Sequence, residues 1–143
     1  MTAKKVCVID SGYDIFHEDL PSDANAADGN PITDASGCNY HGSHCAGTIG
    51  AIGGNDKGVV GVFPGAPDIK IVRTFTPLLG FLCLFNYASD LVGAIAKCRD
   101  SGANIVSMSL GGTASSNPEE AAFQAFVDDD DMLIVASAGN GGP

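Results

Sequence analysis

Lys5-Val6-Cys7-Val8-Ile9-Asp10-Ser11-Gly12 (KVCVIDSG, residues 5–12) sets apolar and β-branched residues in an unbroken run, then stops at an acid, a hydroxyl and a glycine. A strand with one wet face alternates polar and apolar residues. A continuous run reads as a strand buried on both faces and halted by a turn. The signature recurs in Ile69 to Phe75 (IKIVRTF), Asn104 to Leu110 (NIVSMSL) and Met132 to Ala138 (MLIVASA). The last two run into Ser109-Leu110-Gly111-Gly112 and Ala138-Gly139-Asn140-Gly141.

Helical stretches lie between these runs. Cys45 to Ile52 carries small and apolar residues suited to a tightly packed helix, stopped by Gly53-Gly54 and the turn Asn55-Asp56-Lys57-Gly58. Tyr87 to Arg99 places Leu91, Val92, Ile95 and Ala96 at helical spacing, with basic residues in its last turn and Ser101-Gly102 after it. Asn117 is the expected cap of a helix reaching about Val127, with Pro118 in the first position and Glu119 and Glu120 at the positive dipole end. Residues 20–40, rich in Asp, Asn, Ala, Gly and Pro, read as loop. Strand and helix alternate throughout, which predicts an α/β fold: a three-layer α/β/α arrangement with a mostly parallel sheet, in one domain over residues 1–143. Ligands of such sheets bind outside the carboxyl ends of the strands, so the tips at Asp10, Ser109 and Asn140 are expected on one edge.

Composition narrows the partners. A chain of 143 residues that is 45% apolar suits one core. Seven basic against 17 acidic residues give a formal charge of -10, which repels phosphate backbones and anionic headgroups, so neither nucleic acid nor membrane is an expected partner. No apolar run approaches the roughly 18 residues that span a bilayer, and the N-terminal MTAKKVCVIDSG lacks a signal-peptide core. Asp128 to Asp131 reads as a solvated turn. The five cysteines, Cys7, Cys38, Cys45, Cys83 and Cys98, cannot all pair within the chain, and four suffice for two bridges in an oxidising space.

Two of the three histidines fall in Asn39 to Ile49 (NYHGSHCAGTI), at the start of the first helix. Asp10, at the end of an apolar strand, is placed to hold a rigid, partly dry carboxylate. His41 is its natural partner, at a helix start with Gly42 beside it leaving room for a substrate. Such a pair is the base half of a serine-type triad: the carboxylate fixes the imidazole tautomer and stabilises the imidazolium as the ring takes a proton.

VCVIDSG, HEDL, HGSHCAGTIGAI, SMSLGG and ASAGN together resemble the subtilisin-like serine proteases, in order and approximate spacing, over essentially all 143 residues. The resemblance implies Asp10 as triad aspartate, His41 as general base and Asn140 as oxyanion-hole donor. It implies that Ser109, Leu110 and Gly111 form an edge pairing with an extended polypeptide substrate, with Tyr87 as an aromatic wall of the cleft. His44 is then a packing histidine. Ser43 stands where the family usually has threonine, and Cys45 resembles a proteinase K-like branch with a cysteine beneath the catalytic histidine; a small apolar filler is the rival reading. The chemistry requires no cofactor. Asp19 resembles a ligand of a structural calcium, with Gly53 to Gly58 where the family often folds a calcium loop, against the plainer reading of a solvated turn residue. Secretion is implied by the family. Cys83 and Cys98 bracket a loop and most of a helix and could form a disulfide in a secreted family member, with two unpaired buried thiols as the equal alternative.

The family's nucleophile motif, Gly-Thr-Ser-Met-Ala, does not occur. Ser11, Ser43, Ser107 and Ser109 lie on the aspartate turn, the histidine helix or a strand and are poor substitutes. The expectation is therefore a serine endopeptidase domain truncated before its catalytic-serine half, inactive alone and self-associating through the apolar surface so exposed. Three rival readings stand beside it. One is a non-catalytic subtilase-like peptide-binding fragment or pseudoenzyme. Another is a zinc site of His41, His44 and Cys45 with His17 or Cys38. The third, a nucleotide module on Gly47, Gly50 and Gly53, places its glycines inside a helix and lacks phosphate-cradling geometry.

Overall fold

A computed structural model describes residues 4–22, 25–26, 38–65, 68–78, 82–85, 88–112 and 116–141. In chain order the elements are β1 (Val6–Asp10), β2 (Asn25–Ala26), α1 (His41–Gly50), β3 (Lys70–Arg73), β4 (Phe75–Leu78), β5 (Leu82–Phe85), α2 (Ala88–Asp100), β6 (Ile105–Met108), α3 (Asn117–Asp128) and β7 (Leu133–Ala136). Five strands form one sheet in the order β2-β3-β1-β6-β7, and every pairing in it is parallel. β1 is the central strand.

The unbroken apolar run of β1 serves two cores because successive side chains point to opposite faces. Cys7 and Ile9 join Val72, Val106, Met108, Leu91, Ile95 and Phe126 under α2 and α3. Val8 joins Tyr13, Ala46, Ile69 and Ile71 under α1. The period of two therefore sends Asp10 to the α1 side, with Val8. No helix among the described residues is long and apolar enough to cross a membrane.

Burial on both faces holds for β1 and fails for β7. Ile134 packs on the α2/α3 core, whereas Leu133 and Val135 point the other way and are 58% and 48% exposed. No described element covers that face of β7.

Element boundaries shift where backbone partners decide them. α1 ends at Gly50, short of Ile52, because the carbonyls of Thr48, Ile49, Gly50 and Ala51 accept from the N–H groups of Val62, Phe63, Gly65 and Gly61. The following loop thus satisfies the orphan carbonyls of the helix end. Ser116, not Asn117, is the cap residue of α3, and its side chain makes no capping hydrogen bond. β2 lies in the expected loop, and the antiparallel hairpin β4–β5 extends the apolar stretch after β3. Two disulfides form, Cys7–Cys98 between β1 and α2 and Cys38–Cys83 between the approach to α1 and the hairpin. The expected Cys83–Cys98 bridge is therefore wrong: Cys98 faces the core beside β1, where Cys7 meets it.

Candidate active site

The carboxyl ends of β1, β6 and β7 lie side by side, with Ile9 level with Met108 and Met108 level with Ala136. Asp10, Ser109 and Ser137 are each one residue further on. Ser137 N–H donates to the Met108 carbonyl at 3.0 Å and its hydroxyl to the Leu110 carbonyl at 3.1 Å, tying the two tips together. Asn140 follows three residues later and is exposed, after Gly139 at φ 85°. The sheet thus brings all three predicted tips to one edge. Gly111 is exposed, and Ser109 and Leu110 are half-buried, leaving backbone at this edge within reach of another chain. Tyr87 lies outside the described residues.

His41 is the first residue of α1. Its Nδ1 stands 2.7 Å from Asp10 Oδ1, with Asp10 fully buried and the imidazole 50% exposed. Ser11 N–H donates to the same oxygen at 2.7 Å. Asp10 Oδ2 is buried without a hydrogen-bond partner among the described residues. This contact fixes the tautomer of the neutral ring with its proton on Nδ1, which leaves Nε2 as the acceptor nitrogen.

Residues flanking the pair fix the start of the helix. Gly42 N–H donates to Ser11 Oγ at 2.8 Å, and Asp14 N–H donates to Ser43 Oγ at 2.9 Å. Ser11 and Ser43, poor nucleophile candidates, are thereby clamps between the aspartate turn and the histidine helix. The buried residues of α1 are Gly42, Ser43, Ala46, Gly47 and Gly50, a small-residue stripe that lets the helix lie close to the sheet. Gly42 is required for a reason different from substrate room: a Cβ there would meet the Gly12 carbonyl oxygen at 2.2 Å. The sequence signal for these clamps was present in Asp-Ser-Gly and His-Gly-Ser, but only their apposition assigns it.

Cys45, one turn along, places Sγ 3.8 Å from His41 Nδ1 and remains outside both disulfides. The zinc set of His41, His44 and Cys45 with His17 or Cys38 is not assembled. His44 is exposed and lines a cleft of about 470 Å³ with His17 and Tyr40, His17 Nδ1 accepts from Asp19 N–H at 3.2 Å, and Cys38 is bridged to Cys83.

Asp19 is buried, and its two oxygens accept from Asn55 Nδ2 at 2.9 Å and Val59 N–H at 2.8 Å. Those two bonds, the backbone one foremost, hold its carboxyl below the ordinary range. Calcium needs about six to eight oxygens. Among the described residues the groups bonded to the Asp19 carboxylate are N–H donors, an arrangement that does not fit the cation; it is a hydrogen-bonded clasp closing the loop after α1.

Fold and site together define a parallel α/β protein with an aspartate–imidazole pair at the carboxyl edge of its sheet. The chain belongs to the subtilase family of serine proteases, whose profile matches residues 2–143. It is 32% identical to thermitase of Thermoactinomyces vulgaris over 146 residues, covering 96% of this chain and 48% of that protein. With subtilisin E of Bacillus subtilis it shares 32% over 144 residues, covering 96% of this chain and 34% of the relative. Among solved structures, the psychrophilic subtilisin-like protease Apa1 of Pseudoalteromonas sp. AS-11 superposes with a TM-score of 0.76 at 40% identity, over 97% of this chain and 32% of that one. The chain spans about half or less of the length of these relatives.

Proposed function

We propose that these residues form the Asp–His half of a subtilisin-like serine endopeptidase site that cleaves extended polypeptides. The observation that carries this reading is the 2.7 Å contact between buried Asp10 and half-exposed His41 at the carboxyl edge of the sheet. Asp10 holds Nδ1–H; His41 Nε2 takes the proton of an attacking serine hydroxyl and returns it to the leaving amine. Asn140, on the same edge, donates to the tetrahedral oxyanion. The backbone of Ser109 to Gly111 pairs with the substrate chain. The reaction requires no cofactor. No serine of this sequence stands in the family's nucleophile motif, so the nucleophile is supplied from outside these 143 residues and the chain alone is inactive. Extracellular placement is part of the same reading, supported by two disulfides. So is self-association of the isolated chain through Leu133 and Val135, which sedimentation at rising concentration measures.

A fluorophosphonate probe tests the assignment. The 143-residue chain remains unlabelled, whereas a polypeptide continuing it through a subtilase nucleophile segment is labelled, and His41→Ala removes that label. Labelling of the chain alone that vanishes with His41→Ala overturns the external nucleophile. An unlabelled extended polypeptide that still binds peptides favours the pseudoenzyme.

A further inference from the structure

We propose that the Cys38–Cys83 disulfide is a reducible latch that holds His41 against Asp10, so that a small dithiol switches off the base. The latch itself rests on backbone and bridge geometry; its effect on hydrolysis rests on the protease reading. The Asp10–His41 contact closes a circuit. Thr74 N–H donates to the Asp10 carbonyl at 2.9 Å, and Phe75 opens β4 immediately after it. β4 pairs with β5, setting Pro77 level with Cys83, and Cys83 is bridged to Cys38, three residues before His41. The bridge thereby ties the start of the histidine helix to a hairpin rooted on the backbone of the aspartate.

The two residues between bridge and base hold an unfavourable conformation. Asn39 and Tyr40 lie in the left-handed region, at φ 52° and 54°. Asparagine tolerates that region, whereas an aromatic residue stays in it only where its surroundings impose it. Tyr40 is also the cap residue of α1 and makes no side-chain capping bond. Ser11 Oγ grips Gly42 N–H and Ser43 Oγ grips Asp14 N–H, so both clamps act beyond His41 in the chain. On the near side, among the described residues, the covalent restraint is the bridge at Cys38. With the bridge cut, Tyr40 relaxes to negative φ and turns the first helical residue away from Asp10, while the clamps keep the rest of α1 in place.

The two disulfides differ in access. Cys7 and Cys98 are both fully buried, whereas Cys83 is exposed. Exposed disulfides are the labile ones. One thiolate of a dithiol attacks Cys83 Sγ, breaks the S–S bond and expels the Cys38 thiolate; its second thiolate then displaces the Cys83 thiolate. The reductant leaves as a cyclic disulfide, and its two protons and two electrons end on Cys38 and Cys83.

The 143-residue chain is treated with dithiothreitol, and a sample is alkylated and peptide-mapped. Cys38 and Cys83 are expected to open while Cys7–Cys98 stays bridged, with the far-ultraviolet circular dichroism unchanged. The low-field Nδ1–H resonance of His41 is lost on opening and returns on reoxidation. The Cys38→Ser, Cys83→Ser double variant lacks the resonance without any reductant. Tyr40→Asn, which tolerates the left-handed region, keeps the resonance after reduction, as a bridge acting only on overall stability would not predict. In a polypeptide that supplies the nucleophile, reduction lowers kcat about tenfold or more with KM within about twofold. An unchanged resonance after the Cys38–Cys83 bridge opens, a loss in Tyr40→Asn as complete as in the wild-type chain, opening of Cys7–Cys98 first, or a change confined to KM overturns the latch. Neither the resonance nor the thiol map depends on proteolysis, so failure of the protease reading leaves a distinct result.

Discussion

Asp10 and His41 are 31 residues apart in sequence, yet the carboxylate of one, fully buried, meets the half-exposed ring of the other at 2.7 Å. The difference in exposure divides the labour. A dry carboxylate bonds strongly to Nδ1–H because water does not compete, and in the proposed function the ring's other nitrogen is the one that meets substrate.

Asp10→Asn preserves volume but offers an amide that favours the wrong imidazole tautomer. In a polypeptide that supplies the nucleophile, kcat is expected to fall by about 10⁴ with little change in KM. Asn140→Ala is expected to lower kcat about 10² to 10³, the size known for the corresponding donor of subtilisin. Peptide hydrolysis assays on both variants measure this; a change confined to KM removes the assigned roles.

Gly42→Ala tests the close approach of α1 to the aspartate turn. The added Cβ would sit 2.2 Å from the Gly12 carbonyl oxygen, and backbone cannot yield as a flexible side chain can. Destabilisation of more than about 3 kcal/mol is expected, with the hydrogen bond between Asp10 and His41 broken as α1 is pushed away. Urea unfolding gives the first quantity, and the low-field Nδ1–H proton resonance of His41 reports the second.

The alternation of strand and helix and the positions of Asp10, His41 and Asn140 were legible because each rests on a local pattern: an unbroken apolar run, a turn after it, a histidine at a helix start. What escaped depends on apposition. Gly42 looked like room for a substrate until Gly12 was placed against it. Ser11 and Ser43 looked like failed nucleophiles until they proved to accept hydrogen bonds across the turn. The cysteine pairing followed the α2/α3 core, in which Cys7 and Cys98 meet, and sequence spacing does not encode that. β7 carries the same apolar run as β1 but shows one face to solvent, since hydropathy records what a strand can bury and not what covers it.

Cys7–Cys98 staples the central strand to α2 across 91 residues and is wholly buried. Replacing both residues by alanine is expected to cost about 2 to 5 kcal/mol, through a less constrained unfolded chain and poorer packing. Non-reducing peptide mapping should return Cys7–Cys98 and Cys38–Cys83. Recovery of a Cys83–Cys98 peptide would contradict the fold at this point.

Asp19 gives the site's surroundings a pH dependence whose sign follows from its partners. Val59 N–H and the Asn55 amide favour the ionised carboxyl, lowering its pKa in the folded chain. A group with a lowered folded pKa contributes fully above the unfolded carboxylate value of about 4, and the contribution fades as pH falls through the folded value. Acid is therefore expected to open the loop from Gly53 to Val59, and hydrogen exchange at Val59 should speed up before global unfolding. Asp19→Ala should produce the same opening at neutral pH with a lower Tm. Gly58 is bound to this arrangement as well, with φ 40° and space for a Cβ only 2.0 Å from Asp19 Oδ2. Because N–H donors already occupy the carboxylate, the Tm should be the same in calcium and in EDTA. A calcium-dependent rise that disappears with Asp19→Ala would mean that Asn55 and Val59 give way to the cation, and the clasp would then be only its ion-free form.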